Sequence, residues 1–331
     1  MKHSKIAIIG AGPAGIACAV QLKRYGLEPL LFEKNQIGGL LRNANLVENY
    51  LGFEKGISGK DLVEKFRKNL ENSGVTPIFE ETQKVSFAEG IFRLETDNGL
   101  FTSEILVIAS GTKPGSFPYC HCEEEALLPT KQSKTEINDN LWIASDKCPR
   151  NDEMKFFYEI ADLPKKDYSG KKFAIVGAGD AAFDYAINLV NNYKVSEVVI
   201  LNRNDKAKCL PLLEKRAEET GKIEHIKNVT LNSIQGLSND ELLLKSPNGQ
   251  IPNQVRNDKG FDYIIIAIGR EACLDFLDEN LTKNLSDLQN QELLYFVGDV
   301  ANGNYRQSSI ATGDGIKTAM KINSKINTIY L

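Results

Sequence analysis

Apolar positions along this chain fall into two patterns, and their order predicts the fold. Short unbroken apolar runs recur at Ile6-Ala7-Ile8-Ile9, Pro29-Leu30-Leu31-Phe32, Ile105-Leu106-Val107-Ile108-Ala109 and Phe173-Ala174-Ile175-Val176. They return at Glu197-Val198-Val199-Ile200-Leu201, at Tyr263-Ile264-Ile265-Ile266-Ala267-Ile268 and at Leu293-Leu294-Tyr295-Phe296-Val297. A strand covered on one face alternates, whereas a strand covered on both faces reads as a continuous run, so these predict buried parallel strands. Helical spacing fills the intervals: the alanine-rich stretch after Pro13, residues 59–73, residues 180–193 and a helix beginning near Arg306. Pro13 suits a first helical turn and Gly26 a helix stop. From Lys84 to Glu104 the chain instead alternates in short segments, with a turn at Asp97-Asn98-Gly99. That predicts a three-stranded meander leading into the 105–109 strand. A second hairpin-like region is expected before Tyr263, turning at Pro247-Asn248-Gly249.

Two of the strand-to-helix junctions carry the same glycine spacing. Gly10-Ala11-Gly12-Pro13-Ala14-Gly15 follows the first run, and Gly177-Ala178-Gly179-Asp180-Ala181-Ala182 follows the fourth. The first glycine permits a tight turn, the second lets backbone approach a pyrophosphate, and a small third residue lets helix pack on strand. One such motif is weak, but two copies in strand–turn–helix context predict a protein that holds two dinucleotides. Glu33 ends the second strand about 20 residues beyond the first glycines, where a carboxylate accepts the hydroxyls of an adenosine ribose. In the second unit the corresponding residues are Asn202-Arg203-Asn204-Asp205-Lys206-Ala207-Lys208. No acid holds the first positions, and Arg203 and Lys208 suit a 2′-phosphate; NADPH is the expected cofactor, with Asp205 leaving NADH open.

Size and charge narrow the picture further. The 331 residues suffice for two domains with full cores. A composition of 42% hydrophobic and 25% charged residues, with net charge -4, gives no basis for nucleic-acid or membrane attraction. The six scattered cysteines do not resemble a secreted disulfide framework, and with no apolar leader before Ile6 a cytoplasmic location is expected. Residues 114–155 differ from the rest, with four of eleven prolines, three of six cysteines and the only Trp. They read as a crossover linker with a surface insertion around 120–153.

The order of motifs resembles the low-molecular-weight thioredoxin reductase family of two-dinucleotide flavoproteins. It is carried by GAGPAG with Glu33, Gly38-Gly39, Val47-Glu48-Asn49-Tyr50, Ala109-Ser110-Gly111, the second glycine motif, Ala267-Ile268-Gly269, Gly298-Asp299 and Tyr305-Arg306-Gln307. The resemblance implies an α/β fold of two Rossmann-like, three-layer ββα domains. A discontinuous FAD domain would comprise 1–113 plus 271–331, and an NAD(P)H domain 114–270. It implies FAD contacts from Gly10, Gly12, Pro13, Ala14, Gly15, Glu33, Gly38, Gly39, Leu40, Asn49, Ala109, Gly111, Gly298, Asp299, Arg306, Gln307 and Ser308. NADPH contacts would come from Gly177, Gly179, Asp180, Ala181, Asn202, Arg203, Lys208, Ile268 and Gly269. It also implies a homodimer. A helix starting at Arg306–Ser308 would stabilise negative charge on the reduced flavin. The plainer reading of Asp299 is a helix-entry cap.

The resemblance breaks at the redox pair. Thioredoxin reductases carry Cys-x-x-Cys about nine residues ahead of the second dinucleotide strand, and here that place reads Ile160-Ala161-Asp162-Leu163. Without that pair electrons cannot reach a protein disulfide by the usual route. The wording around Phe157 and Gly179 is similar to the thioredoxin-reductase-like ferredoxin–NADP reductases, which also lack the dithiol. The expected activity is hydride transfer from NADPH to FAD and then to a non-dithiol acceptor, a ferredoxin or flavodoxin first and a quinone second. One alternative is a disulfide reductase using Cys120 and Cys122, although Glu123-Glu124-Glu125 would raise their thiol pKa values. Another is a non-catalytic flavin- or NADPH-binding regulator. Cys148 beside that pair offers a third metal ligand, but no metal site is assigned. His3, His121 and His225 fall in no acid–base motif, as flavin chemistry requires none.

Overall fold

The computed structural model describes residues 2–115, 156–229, 233–236, 242–245 and 261–328. The chain divides into two units, Met1–Lys113 with Arg270–Leu331, and Pro114–Gly269. Arg270, expected in the middle segment, therefore groups with the outer ones.

The first unit opens with β1 (Lys2–Ile9), α1 (Pro13–Arg24), β2 (Leu30–Phe32) and α2 (Gly59–Asn72). Then follow β3 (Thr82–Ala88), β4 (Ile91–Thr96), β5 (Leu100–Ile108) and the short β6 (Thr112–Pro114). The expected meander and the buried 105–109 strand are not separate. Residues Leu100–Ile108 form one strand, pairing antiparallel with β4 at its start and parallel with β1 along its length. The apolar run marks only the half covered on both faces, so alternation upstream disguised the continuity.

The second unit comprises β7 (Phe156–Phe157), β8 (Lys172–Val176), α3 (Asp180–Asn192), β9 (Glu197–Leu201), α4 (Pro211–Glu219) and β10 (Ile223–Ile226). It continues with β11 (Ser233–Gly236), β12 (Leu242–Lys245) and β13 (Tyr263–Ile266). Its main sheet runs β10-β9-β8-β13-β7, all parallel. β11 and β12 pair antiparallel, so this hairpin closes before the expected turn at Pro247-Asn248-Gly249, which lies outside the described residues. The insertion around 120–153, with Cys120, Cys122 and Cys148, lies outside them too.

The chain then returns to the first unit through β14 (Arg270–Ala272), α5 (Glu279–Lys283), α6 (Leu285–Asn290), β15 (Leu294–Phe296) and α7 (Ser308–Thr328). β15 pairs parallel with the C-terminal half of β5, completing a sheet ordered β2-β1-β5-β4-β3 with β15 beside β5. β14 pairs with β6 in a separate two-stranded sheet.

Alternation across β1 shows why its run is unbroken. Ile6 and Ile8 enter a core with Ala14, Cys18, Leu62, Phe66 and Ala319, which belong to α1, α2 and α7. Ala7 and Ile9 enter the opposite core with Phe92, Leu94, Leu281 and Leu288. β8 repeats this, with Phe173 and Ile175 on one face and Ala174 and Val176 on the other. Both units are thus layered about a central sheet. Among the described residues no helix is long and apolar enough to cross a membrane.

Candidate functional site

In the first unit the chain leaves β1 at Gly10 with φ 104°, and a Cβ there would lie 2.4 Å from the Ala109 carbonyl oxygen. A Cβ on Gly15 would lie 1.9 Å from the Gly10 carbonyl oxygen, so α1 packs on the turn only because Gly15 has no side chain. Gly12 differs: nothing stands within 4 Å of its would-be Cβ. That open face lies at the N-terminus of α1, where Gly12 caps with backbone alone and Pro13 takes the first helical position. The first N–H groups of a helix lack intrahelical acceptors and favour an anion. Ala14 is buried beside them, Gly38 N–H donates to the Ala11 carbonyl at 2.8 Å, and a Cβ on Gly39 would stand 3.6 Å from Gly12 Cα. The half-buried Leu40 follows on the same 3-10 turn, Gly39–Asn43.

Glu33 ends the second strand with 8% exposure. One carboxylate oxygen accepts Ala11 N–H at 2.9 Å and the other Asn35 N–H at 3.0 Å. Each oxygen keeps a further lone pair. Asn49 and Gln307, far apart in sequence, meet through Asn49 Nδ2 donating to Gln307 Oε1 at 2.8 Å, and Ser309 Oγ donates to the Asn49 carbonyl at 3.2 Å. The last helix starts at Ser308 rather than Arg306, which leaves Arg306 and Gln307 in the approach to its N-terminus.

Asp299 lies within the 3-10 turn Gly298–Val300, and its carboxylate makes no capping hydrogen bond among the described residues. Burial pushes its carboxyl above the ordinary carboxylate range, opposed by the nearby Arg306 and Arg270 guanidinium groups. Arg306 Nη1 donates to the Arg270 carbonyl at 3.1 Å, while Arg306 Nε is buried with no acceptor among the described residues. Arg270 is absent from the residues expected from sequence. Its only signal was its position immediately after the strand-end Gly269. Gly111, φ 68°, has open space before it. These features fit a flavin dinucleotide: an open backbone cradle, an acceptor at the strand end and a buried donor lacking a partner.

The second unit repeats the turn. Gly177 has φ 117° and its Cβ would stand 2.1 Å from the Ala267 carbonyl oxygen, while a Cβ on Gly179 would meet only Lys208 O, at 4.0 Å. Asp180 starts α3, its Oδ1 accepting Leu210 N–H at 2.7 Å, and Ala181 beside it is exposed. The segment after β9 folds back on this turn, with Lys208 N–H donating to the Ala178 carbonyl at 2.8 Å. Arg203 and Lys208 are exposed. Asn202 is only 4% exposed, its Oδ1 accepting Asn204 N–H at 3.0 Å and its Nδ2 buried with no partner among the described residues. The buried strand stops at Ile266, which leaves Ile268 and Gly269 exposed past its end.

Ile160 and Leu163 are core residues. Ile160–Asp162 is a 3-10 turn, and Ile160 and Leu163, 2% and 7% exposed, sit in a core with Phe157, Tyr168, Phe173 and Phe183. The described free thiols are all shifted away from reactivity. Burial pushes Cys18 up to about 12 and Cys209 to about 11, and raises Cys273.

A layered sheet built on parallel strands, mixed in the first unit and all parallel in the second, with a glycine turn at a strand end in each, defines a two-dinucleotide oxidoreductase architecture. The chain belongs to the pyridine nucleotide-disulphide oxidoreductase family, which it matches over residues 4–315, and it is an FAD-dependent oxidoreductase of that family. Thioredoxin reductase 2 of Arabidopsis thaliana is 30% identical over 334 residues, covering 96% of this chain and 80% of that protein. The solved thioredoxin reductase of Lactococcus lactis superposes with TM-score 0.72 at 23% identity, covering 97% of this chain and 98% of the other. A bacillithiol disulfide reductase of Staphylococcus aureus gives 0.66 at 18% identity, covering 98% and 99%. The family and its thioredoxin reductase members imply use of FAD and NADPH.

Proposed function

We propose that this protein is an FAD-dependent NADPH oxidoreductase that delivers electrons to its acceptor without an internal Cys-x-x-Cys relay. The observation that carries the reading is the burial of Ile160 and Leu163 in an apolar core, at the place to which the resemblance in sequence assigns the redox pair. Neither side chain can form a thiolate, and the six cysteines include no pair at that spacing. Bound FAD supplies two-electron acceptance of hydride from the nicotinamide. The chain's residues do the rest. The Gly12 face and the N-terminus of α1 receive the pyrophosphate of FAD, Glu33 its adenosine ribose, and Asp299 its ribityl hydroxyls. Arg306, Gln307 and Ser308 lie where the start of α7 stabilises negative charge. Arg203 and Lys208 hold the 2′-phosphate of NADPH, and the subunits pair as a homodimer.

The acceptor to test first is a ferredoxin or flavodoxin, then a quinone. A low-molecular-weight disulfide joins them because one neighbour in fold is a disulfide reductase of that kind. The deciding experiment is anaerobic titration with NADPH. Two electron equivalents per flavin are expected, together with NADPH–ferricyanide turnover that survives Cys120→Ser/Cys122→Ser. Four equivalents, falling to two in that double variant, would overturn the reading in favour of a disulfide reductase. Binding of both nucleotides with no turnover would favour a regulator.

A further inference from the structure

Gly111, Asp299 and Arg306 come from separate parts of the sequence, and Arg270 ties them together. Its Nε donates to Thr112 Oγ1 at 2.8 Å and its Nη2 to the Thr112 carbonyl at 2.7 Å, forking across β14 and β6 onto the residue after Gly111. Its own backbone carbonyl accepts Arg306 Nη1 at 3.1 Å. Thr112 is 9% exposed, so this fork sits on buried backbone.

The arrangement is costly on its own terms. Two guanidinium groups lie near one carboxylate, Arg306 Nε is buried without an acceptor, and the Asp299 carboxylate makes no hydrogen bond among the described residues. Burial raises the Asp299 carboxyl while both arginines favour its charged form. A buried donor without a partner is expensive, and a ligand oxygen is one way such a site is completed. Both guanidinium groups bring positive charge beside Asp299, which suits a cofactor that gains negative charge on reduction.

We propose that Arg270 is a positioning residue of the flavin site. Its guanidinium fixes Thr112, the residue after Gly111, and its carbonyl fixes Arg306, so that the Arg306 guanidinium and the Asp299 carboxylate are held in place for bound FAD. Lys cannot replace it, since an ammonium lacks the planar fork that takes hydroxyl and carbonyl together. The proposal rests on the flavin reading of the first unit.

The test uses the full-length holoprotein with Arg270→Met, Arg270→Lys and Thr112→Val. Two quantities are read: the FAD dissociation constant, from flavin fluorescence released on dilution, and the midpoint potential of bound flavin. Arg270→Met should weaken FAD at least tenfold and make the potential more negative. Arg270→Lys should restore the potential and only part of the affinity. Thr112→Val should weaken FAD and leave the potential unchanged, because it loosens the fork without removing charge. A merely structural role would lower thermal stability in all three and leave the potential of retained flavin alone. Arg270→Met with wild-type affinity and potential would overturn the proposal. If that variant fails to fold, wild-type values in both Arg270→Lys and Thr112→Val would do the same. A wild-type protein that takes up no FAD would instead overturn the flavin reading itself.

Discussion

Glu33 in the first unit and Asn202 in the second occupy the same place in the same motif. Each ends the second parallel strand, and each backbone N–H donates outward, Glu33 to the Ile78 carbonyl at 2.9 Å and Asn202 to Ile226 at 2.8 Å. Each side-chain oxygen accepts the N–H two residues on, that of Asn35 or of Asn204, both at 3.0 Å. The residues part at the remaining terminal atom. In Glu33 it is an oxygen accepting Ala11 N–H; in Asn202 it is Nδ2, a buried donor with no partner among the described residues. The scaffold keeps the position and inverts the chemistry offered there, from acceptor to donor. Acceptors suit a ribose diol, and donors suit a phosphate oxygen.

A second contrast lies at the third small residue, and breaking it should have the largest effect. Gly15 has no room for a methyl group, because its Cβ would fall 1.9 Å from a backbone oxygen. In the second unit Ala182 fills the same place in the motif, fully buried, so that turn already accommodates a methyl. Gly15→Ala should therefore destabilise the first unit by at least the ~1–3 kcal/mol typical of overpacking and abolish FAD retention. Ala182→Gly should cost only about 1 kcal/mol from helix propensity, with flavin retained. Flavin absorbance and thermal unfolding of both variants check this. A yellow, wild-type-stable Gly15→Ala protein would show that the two turns are equivalent after all.

The next test concerns the basic segment after β9. Arg203 is exposed, and its proposed role is to pair with a bound 2′-phosphate. Arg203→Ala should raise KM for NADPH about ten- to hundredfold, the worth of a charge-assisted hydrogen bond of roughly 1.5–3 kcal/mol. KM for NADH should stay nearly constant. Equal changes for both cofactors would remove Arg203 from the phosphate site.

Much of this was legible because the physics is local. A glycine turn after an apolar run, and the residue that ends the next strand, are set within about 30 residues. Glu33, Gly10, Gly15 and Gly177 could be read that way, and so could the apolar Ile160 and Leu163. Arg270 could not, because its partner Thr112 lies 158 residues away and the two meet only when β14 pairs with β6. The orientation of Asn202 was hidden for a similar reason. Its residue type suggests a ligand-facing amide, and only the Asn204 N–H reveals which end faces the chain and which is left over. The continuity of β5 was masked by a change of neighbour halfway along, from antiparallel β4 to parallel β15.

The finest test exchanges the two strand ends. Asn202→Asp keeps the shape and the oxygen that accepts Asn204 N–H, but turns the leftover donor into an anionic oxygen. That oxygen would repel a 2′-phosphate and accept from a 2′-hydroxyl, so the kcat/KM ratio of NADPH to NADH should fall about tenfold, near 1.4 kcal/mol. Glu33→Gln is the reciprocal change. One oxygen still accepts a backbone N–H, while the other becomes an NH2 group facing the Ala11 N–H donor. The lost charge and the opposed donors should weaken FAD about five- to tenfold, roughly 1 kcal/mol. The two effects should also stay separate, with Asn202→Asp leaving FAD affinity alone and Glu33→Gln leaving the nicotinamide ratio alone. If Asn202→Asp fails to change that ratio, the unpaired Nδ2 does not face the cofactor, and selection in the second unit lies with Arg203 and Lys208 alone.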